Sequence, residues 1–492
     1  MKYKIIGGTA TALVLLAVFI ISLLLPEDNG HRYVEHRDAP QKAPCTTHEA
    51  DTFCTHLPIV SVNTDGIEIP GRAILDAEGY VTGYTMAENG AETVSATVSV
   101  IGQEEQRNHL TDSATFTAAA EIRVRGHSSR RFEKANYFIR FLNPDGTNAP
   151  QEFLGMEAHH EWALHGPFLD KTLIRNYMWY NISGEIMDYS PNVRFLELLV
   201  NGEYRGVYLA TETVTAGKEG ARLNLQVNKK DNTFSGYALR LDWGESLDKA
   251  IHPFTNYTMR ANTQHELVYP GTQNATPQLR EEIKNEFSLF EKSLYSYDFN
   301  HADHGYTKYI DIDSFVDYFL INELTCNYDA GSLSTYIYKE VDGRYKMCVW
   351  DFNSACDAYQ EQAIPTDEFR LQNGLWFKML FMDSGFTDRV IERYYELRKT
   401  YFSEEYLFGF MDDSVDYLGD AIDRNNEKWG YTYGSDYDLL HPQDRNPRSY
   451  DEAVTQMKTF LTRRLSFMDE NIETLRHYSA ESKTKKYSEV SD

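Results

Sequence analysis

The first half of the chain alternates apolar and polar residues with the period of two that is typical of β-strands. From residue 57 this pattern runs through LPIVSVNTDG, EIPGRAILD, ETVSATVSVIG and TFTAAAEIRVRG, with Asp-Gly, Glu-Gly and Asn-Gly pairs at the turns. Asn201-Gly202 is a strong signal for a further hairpin. The other strands are predicted over residues 136–142, 195–212 and 235–243. We therefore expect a β-rich N-terminal region.

In the second half the pattern changes to a helical period. Apolar residues recur at i, i+3 and i+4, which predicts helices over residues 278–297, 313–324, 375–382, 387–401, 404–424 and 450–477. An earlier helix is predicted to begin near Asp170, a suitable N-cap, with Arg175 and Asn176 on its first turns. Strands followed by helices indicate the α+β class.

The N-terminus has a separate character. Residues 5–25 are uncharged and apolar and follow Lys2 and Lys4, which predicts a signal-anchor transmembrane helix over residues 1–26 with the remainder outside the membrane. The expected divisions of the rest are an extracytoplasmic linker over 27–56, a domain over 57–478 that begins with a β-rich extension at 57–120, and a disordered polar tail over 479–492.

Composition narrows the possible partners. The 48 Lys and Arg against 74 Asp and Glu give a net charge of −26, which argues against binding to nucleic acid or to an anionic membrane surface. The five cysteines include no CxxC pair, which does not favour a structural zinc site. Cys45 and Cys54 could form a disulfide outside the cytoplasm.

Candidate chemistry is concentrated at a predicted hairpin between two aspartates. Asp342-Gly343 predicts a tight turn between strands 335–339 and 344–350, so Asp329 and Asp351 should lie at the same end of the hairpin. Two neighbouring carboxylates repel each other unless a cation or a proton lies between them. Phosphoryl-transfer enzymes hold magnesium and orient an attacking hydroxyl in this way. The alternative is that these residues are only a turn and a cap at the ends of the strands.

The order of these residues and the hairpin along the chain favours the catalytic interpretation. Protein kinases place a catalytic Asp five residues before an Asn, then a hairpin, then Asp-Phe-Gly. In this chain Asp329 is followed by Ser334, the hairpin and Asp351-Phe352-Asn353. Ser334 therefore stands at the position of the kinase Asn, and Asn353 at that of the Gly.

A second candidate segment is the basic loop between the strands of EIRVRGHSSRRFEKANYFIRF. Small residues after Arg125, including Ser128 and Ser129, would let backbone N–H groups approach a phosphate, and Lys134 could add a point charge. An ordinary basic hairpin loop explains the same pattern, and on these residues alone it is the preferred interpretation.

Several segments together resemble the spore coat protein H (CotH) family of atypical kinases. The matching segments, in chain order from about residue 57 to about residue 475, are RVRGHSS with Lys134 and Tyr137, WALHGPFLDKTLIRN, LVNGEYRGVYLATETV, NELTCNYDAGSLSTYIY with VWDFN, and YDEAVTQMKTFLTRRLSFMDENI. The family's W-D-x-D element is Trp350-Asp351-Phe352-Asn353 in this chain, with an amide in place of the second carboxylate.

The resemblance implies a kinase-like fold, with a β-rich N-terminal lobe and a mainly helical C-terminal lobe. It also implies transfer of phosphate from ATP to Ser or Thr of a secreted, surface or coat protein with Mg²⁺ or Mn²⁺. The implied nucleotide contacts are Arg125, Ser128, Ser129, Lys134 and Glu212, of which Glu212 could instead pair with Lys134. Asp329, with Lys134, would be catalytic. The implied metal ligands are Asp351, Asp329, Asn353 and Asn327.

Two alternatives remain open. One is a catalytically weak member of the same family that acts as a structural or binding module on a cell surface or spore coat, which Ser334 and Asn353 would favour. The other is a carbohydrate-directed surface protein, suggested by the 13% aromatic content and the β-rich start. A glycosidase would need paired carboxylates in an open cleft without a nucleotide.

Overall fold

The fold is known from a computed structural model that describes most of the chain beyond the N-terminal segment. The described residues are 32, 34–39, 42, 45, 53–216, 222–228, 233–234, 236–244, 248–271, 274–358, 363–434 and 445–479. Residues 33–492 belong to one compact unit and residues 1–32 to another. The predicted membrane helix and the predicted polar tail lie outside the described residues, apart from Ser479. Within the described part, no helix combines the length and apolar character that a bilayer span requires.

A closed barrel of seven strands forms the centre of the β-rich region. Around the barrel the order is β11-β13-β12-β2-β5-β7-β8, and these strands are β2 (Ile59–Asn63), β5 (Val94–Ile101), β7 (Phe116–Val124), β8 (Tyr137–Phe141), β11 (Glu161–His165), β12 (Val193–Val200) and β13 (Glu203–Glu212). All neighbours are antiparallel except β12 and β2. The predicted extension over 57–120 therefore supplies three barrel strands.

Alternation explains why these segments close into a barrel. In β5 every second residue is buried, as the sequence VSATVSVI predicts. The inward side chains form one apolar core that includes Val98, Ile139 and Trp162. The β12–β13 hairpin turns at Asn201-Gly202, where both residues have positive φ, so the prediction of a hairpin there is confirmed.

Small ladders and a five-stranded sheet complete the β-structure of the described residues. The short strands are β1 (Cys54–Thr55) with β6 (Asn108–His109), β3 (Ala73–Leu75) with β4 (Val81–Tyr84), β9 (Gln151–Phe153) with β10 (Met156–His159), and β14 (Val227–Asn228) with β15 (Thr233–Phe234). The sheet has the order β17-β18-β16-β19-β20, with β16 (Tyr237–Asp242), β17 (Ala250–Ile251), β18 (Gln264–Tyr269), β19 (Thr335–Lys339) and β20 (Tyr345–Cys348). The hairpin predicted around Asp342-Gly343 is thus confirmed as β19–β20.

Ten α-helices lie in the described residues, most of them after the barrel. They are α1 (Glu35–Asp38), α2 (Arg175–Ile186), α3 (Phe254–Tyr257), α4 (Pro277–Leu294), α5 (Ile312–Thr325), α6 (Phe377–Leu380), α7 (Ser384–Arg398), α8 (Glu404–Leu418), α9 (Asp420–Trp429) and α10 (Tyr450–Asn471). The α+β class is confirmed.

Two predicted helix limits are wrong. The helix expected over 404–424 is divided into α8 and α9, because Gly419 has a φ of +45° and ends the first of them. The helix expected to begin near Asp170 begins at Arg175. Asp170 instead accepts hydrogen bonds from the backbone N–H groups of Thr172 and Arg175 and so caps a turn that leads into α2.

The predicted linker over 27–56 contains an ordered helix. Helix α1 carries Glu35, which is fully buried, accepts a hydrogen bond from Arg194 Nε at 2.8 Å and accepts another from the backbone N–H of Phe195 at 2.7 Å. This short helix therefore packs on barrel strand β12 and belongs to the folded unit.

Candidate active site

Helix α2 fixes the backbone around Asp351. Tyr180 Oη accepts a hydrogen bond from the N–H of Asp351 at 3.0 Å, and Asn176 Oδ1 accepts one from the N–H of Phe352 at 2.7 Å. Asn176 Nδ2 donates to Asn353 Oδ1 at 3.0 Å. Asp351 itself has a φ of +57°, an uncommon conformation that these bonds stabilise. Side chains of α2 therefore hydrogen bond with three consecutive residues of the Trp-Asp-Phe-Asn segment and fix its position.

Three aspartates interact electrostatically at this point. Burial first, and then the nearby carboxylates of Asp351 and Asp242, raise the pKa of Asp329 to about 7 against the opposing effect of Arg370. The pKa of Asp351 is also raised, by burial first and then by Asp242, while Arg125 and a hydrogen bond from the N–H of Asn353 lower it. The hairpin thus brings Asp329 and Asp351 close together, as predicted from their positions at the same end of it.

Asp242 is a candidate that the sequence did not identify. It is the last residue of β16, which pairs with β19 so that Leu241 lies opposite Thr335. It forms an ion pair with Arg240 at 3.1 Å. An Asp at the end of one strand carries no local signal, and only the pairing of β16 with β19 reveals that it lies near Asp329 and Asp351.

The basic loop lies near Asp351 through Arg125, which lowers the pKa of that carboxyl. The Arg125 guanidinium lies 5.3 Å from the ring centre of Trp350, the residue just before Asp351. A Cβ at position 126 would clash with Ser129 Oγ, so this tight turn requires Gly126. Ser128 and Ser129 begin a 3-10 helix over Ser128–Arg131, with Ser128 exposed and Ser129 half-buried. Arg125 is therefore the cation of this loop that acts on Asp351.

Two aromatic side chains connect the loop to β16. His127 stacks on Trp243 with ring centres 5.8 Å apart and an interplanar angle of 24°. Trp243 follows Asp242 and is 60% exposed. An exposed, anchored indole next to carboxylates and a basic loop is a surface on which a planar ring system can stack.

His165, the last residue of β11, is another residue that the sequence did not identify. Burial lowers its pKa to about 3, with Arg125 as the next contribution, so the imidazole is neutral. Its side chain also hydrogen bonds with Asn353. Its Nε2 is buried and has no hydrogen-bond partner within the described residues. A neutral imidazole with an unused nitrogen can bind a polar ligand atom.

Lys134 and Glu212 have partners outside this group. Lys134 is 1% exposed, and its Nζ donates to Asn425 Oδ1 at 2.7 Å. Burial, and then Lys171, lower its pKa well below the usual value, while Asp170 raises it. Glu212 forms an ion pair with Arg222 at 3.2 Å and accepts a hydrogen bond from the N–H of Asn192. The structure therefore does not pair Glu212 with Lys134, an option that the sequence left open.

A cleft of about 840 Å³ is lined by Asn327, Tyr328 and Ala330, whereas Asp329 and Asp351 do not line it. Asn327 is 7% exposed, and its Nδ2 donates to Asn322 Oδ1 at 3.2 Å. Its Oδ1 is buried without a hydrogen-bond partner among the described residues. An unsatisfied buried acceptor is costly, so a cation, a donor group or a water is expected there when the site is in use.

The donor set suits a hard divalent cation. Asp329, Asp351, Asn353 and Asn327 supply carboxylate and amide oxygens, which Mg²⁺ and Mn²⁺ prefer, and Mg²⁺ is usually completed by water and phosphate oxygens. The elevated pKa of Asp329, about 7, also suits a group that accepts a proton from a hydroxyl near neutral pH. Metal binding and proton transfer are thus both possible at this site.

Comparison with known proteins finds a matching family model and a curated relative. The family model described as "CotH kinase protein" matches residues 122–468, which is more than half of the chain. The "Inner spore coat protein H" of Bacillus subtilis (strain 168) is 24% identical over 235 residues, which is 48% of this chain and 58% of that relative. The matched part thus covers less than two thirds of the relative, and all the site residues discussed above lie within the span of the family model.

Proposed function

The chain belongs to the CotH kinase protein family, and we propose that it is a protein kinase that transfers the γ-phosphoryl group of ATP to Ser or Thr of a spore-coat or surface protein. The observation that carries the proposal is that Asp351 and Asp242 lie close enough to Asp329 to raise the pKa of its carboxyl, and that Asp242 also raises the pKa of Asp351. Carboxylates that repel one another are stabilised by a divalent cation. The family's description contains the word kinase, and the relative's name places that protein in the inner coat.

Each residue then has a defined task. Asp329 either accepts the proton of the acceptor hydroxyl, a role that its pKa of about 7 without metal suits, or shares the metal. Asp351 and Asp329, with Asn353 and Asn327, would hold the metal, which when bound offsets negative charge on the phosphate oxygens. Arg125 and the loop of Ser128 and Ser129 bind phosphate. Lys134 can join them only if its Nζ leaves Asn425.

The wider arrangement belongs to the same proposal. The barrel would form the β-rich lobe of a kinase-like fold and the helices after it the second lobe, with the nucleotide between them and the exposed face of Trp243 available to its base. The predicted anchor over residues 1–26 would keep the domain outside the membrane, at a cell surface or a spore coat.

A second candidate function is a structural or binding module with little catalysis. Two observations favour it. Asn353 Oδ1 accepts a hydrogen bond from Asn176, and Lys134 is buried against Asn425, so two implied ligands are already engaged. The two functions differ in whether ATP and metal bind together.

Thermal unfolding of the full chain with ATP, with Mg²⁺ or Mn²⁺, and with both distinguishes the two functions. We expect a higher midpoint when both are present, because a ligand at about 100 times its dissociation constant adds about 2.7 kcal/mol to the free energy of unfolding. Asp351→Asn should abolish this increase. Asp188→Asn is the matched control, since it removes a carboxylate that pairs with Lys346 of the same hairpin. No increase with either metal would reject the kinase and favour the binding module.

Transfer is then measured as the appearance of phosphoserine or phosphothreonine by mass spectrometry, with a total coat-protein extract as acceptor. Asp329→Asn should lower the rate by about 10²–10⁴-fold, which is the usual contribution of a positioned base. A rate unchanged in Asp329→Asn would remove Asp329 from the chemistry even if ATP binds.

A further inference from the structure

Two cysteines and a histidine meet at the short ladder between β1 and β6, outside the candidate active site. Cys54 and His109 lie directly opposite each other in this ladder. Residues opposite each other on adjacent strands have Cβ atoms about 4.5–5.5 Å apart, so the backbone fixes the separation of these two side chains. The third member, Cys45, comes from upstream and lies with its Sγ 3.3 Å from His109 Nε2.

The three side chains present their ligand atoms to a common point. Cys45 Sγ, Cys54 Sγ and one ring nitrogen of His109 all lie within 4.8 Å of one another, and no other group of three or more such residues does so in the described part of the chain. Both cysteines are half-buried and His109 is 5% exposed. In a tetrahedral zinc site with bonds of about 2.3 Å to sulfur and 2.0 Å to nitrogen, neighbouring ligand atoms are about 3.6 Å apart. The Cys45 Sγ–His109 Nε2 distance of 3.3 Å is close to this value, and the other two separations are at most 4.8 Å.

A carboxylate orients the histidine for such a role. Asp112 Oδ2 lies 3.3 Å from His109 Nδ1 and also accepts a hydrogen bond from the His109 backbone N–H at 2.8 Å. Metal-binding histidines usually donate their second ring N–H to a carboxylate, which leaves the other nitrogen as the ligand. In this arrangement Nε2, the atom that contacts Cys45, is the ligand atom.

We infer that Cys45, Cys54 and His109 bind a thiophilic divalent cation, with zinc as the expected metal. Two thiols lose their protons to solvent and the neutral imidazole loses none, so the ion and its three protein ligands carry no net charge. Two thiolates and one imidazole exclude hard cations such as Mg²⁺. The fourth position is completed by water or another ligand.

The ion would fasten the segment ahead of the barrel to the folded domain. Asn108, the neighbour of His109, donates from Nδ2 to the backbone carbonyl of Leu57 at 2.7 Å and accepts at Oδ1 from the N–H of Gln103 at 2.7 Å. The ladder is thereby joined to the chain just before β2. This site shares no residue with the candidate active site, and its test does not depend on kinase activity.

The test uses the full chain purified in reductant, stripped of metal and titrated with Zn²⁺ and with Co²⁺. We expect one ion per chain, and for Co²⁺ the intense visible bands of tetrahedral coordination together with thiolate charge-transfer absorption. Cys54→Ser and His109→Ala should each lose about 100-fold or more in affinity, and Asp112→Asn about 10–100-fold. Because Asp112→Asn leaves all three ligands in place, it reports on the site even if a ligand variant folds poorly.

Two matched controls should leave metal binding unchanged. His304→Ala removes a histidine that also contacts a carboxylate, Asp298, and Cys326→Ala removes a buried thiol elsewhere. The inference is overturned if the reduced chain binds no zinc, or if His109→Ala and Cys54→Ser bind it as well as the parent. An intact mass two hydrogens lower without reductant, together with no zinc uptake after reduction, would overturn it and assign a Cys45–Cys54 disulfide instead.

Discussion

Asp329 should make the stability of the protein depend on pH in a direction opposite to that of an ordinary paired carboxylate. Its pKa is about 7 in the folded chain and about 4 in an unfolded one, so the folded state keeps a proton that the unfolded state releases between these values. The free energy of unfolding therefore decreases as pH rises through this window. Asp329→Asn should remove that dependence and be more stable than the parent at pH 8 by up to about 4 kcal/mol, since each pKa unit corresponds to about 1.4 kcal/mol.

Urea unfolding of the parent and of Asp329→Asn at several pH values, without metal, measures this effect. The two proteins should have similar stability near pH 4 and diverge above it, while Asp188→Asn should follow the parent. Parallel curves for parent and Asp329→Asn across the range would show that the carboxylate is solvated and not repelled by Asp351 and Asp242.

Arg125 and Lys134 are the two candidates for the proposed contact with phosphate, and substituting each in turn shows which of them affects ATP binding. Arg125 acts on Asp351, whereas Lys134 is buried against Asn425. Arg125→Gln should weaken ATP–Mg²⁺ binding about 10-fold or more, because it removes a charge-assisted hydrogen bond. Lys134→Gln should instead lower the free energy of unfolding by about 1–3 kcal/mol and leave ATP affinity within about 3-fold.

Calorimetric titration of each variant with ATP–Mg²⁺, together with its melting temperature, provides the measurement. The opposite result, with affinity lost in Lys134→Gln and unchanged in Arg125→Gln, would mean that Lys134 leaves Asn425 when nucleotide binds.

These residues show which parts of a site a sequence can reveal. Asp329 and Asp351 could be predicted to be neighbours because a two-residue turn fixes the geometry of the hairpin between them. Asp242 and His165 reach the same place from β16 and β11, and no local pattern reports such long-range pairing. For Lys134, proximity to the basic loop in sequence suggested a phosphate contact, but its partner Asn425 is 291 residues away and could not be foreseen.

At the scale of elements, helix α2 is the support on which the Trp-Asp-Phe-Asn segment rests. Asn176, which is 4% exposed, contacts both residues that follow Asp351. Asn176→Ala leaves the N–H of Phe352 unsatisfied, so the free energy of unfolding should fall by about 1–3 kcal/mol. Metal-dependent ATP binding should fall by about 10-fold or more, as is usual when support for a metal ligand is removed.

Ser183→Ala on the same helix is the control, because Ser183 is also buried and its Oγ has no hydrogen-bond partner in the described structure. Melting temperature and ATP–Mg²⁺ affinity are measured for both variants. If Asn176→Ala loses stability but binds ATP–Mg²⁺ as the parent does, α2 supports the core and does not position the site.

The fold was predictable to the extent that local patterns determine it. Turn chemistry and alternation predicted the hairpins β12–β13 and β19–β20, and helical spacing predicted most of the later helices. Closure of the barrel was not predictable, because it depends on the parallel pairing of β12 with β2, whose residues are far apart in sequence. The start of α2 was placed too early because Asp170, a suitable N-cap by residue type, instead caps the turn that leads into the helix.

At the scale of the whole molecule, the folded unit extends upstream of the predicted domain start at residue 57. Glu35 of α1 is fully buried and pairs with Arg194 of β12. Replacing one partner of a buried ion pair leaves the other charge uncompensated and typically lowers the free energy of unfolding by about 3–5 kcal/mol. Replacing both partners costs less than the sum of the two single substitutions. Glu35→Gln and Arg194→Met in the full chain should each be strongly destabilising, and the double variant should fall short of their sum by at least about 1 kcal/mol.

Urea unfolding of the four proteins of this cycle gives the coupling energy. A coupling energy near zero would mean that α1 is not packed against β12 in solution. The expected coupling would instead make α1, which the sequence assigned to a linker, an energetic part of the folded domain, because its one buried carboxylate and the barrel arginine would stabilise each other.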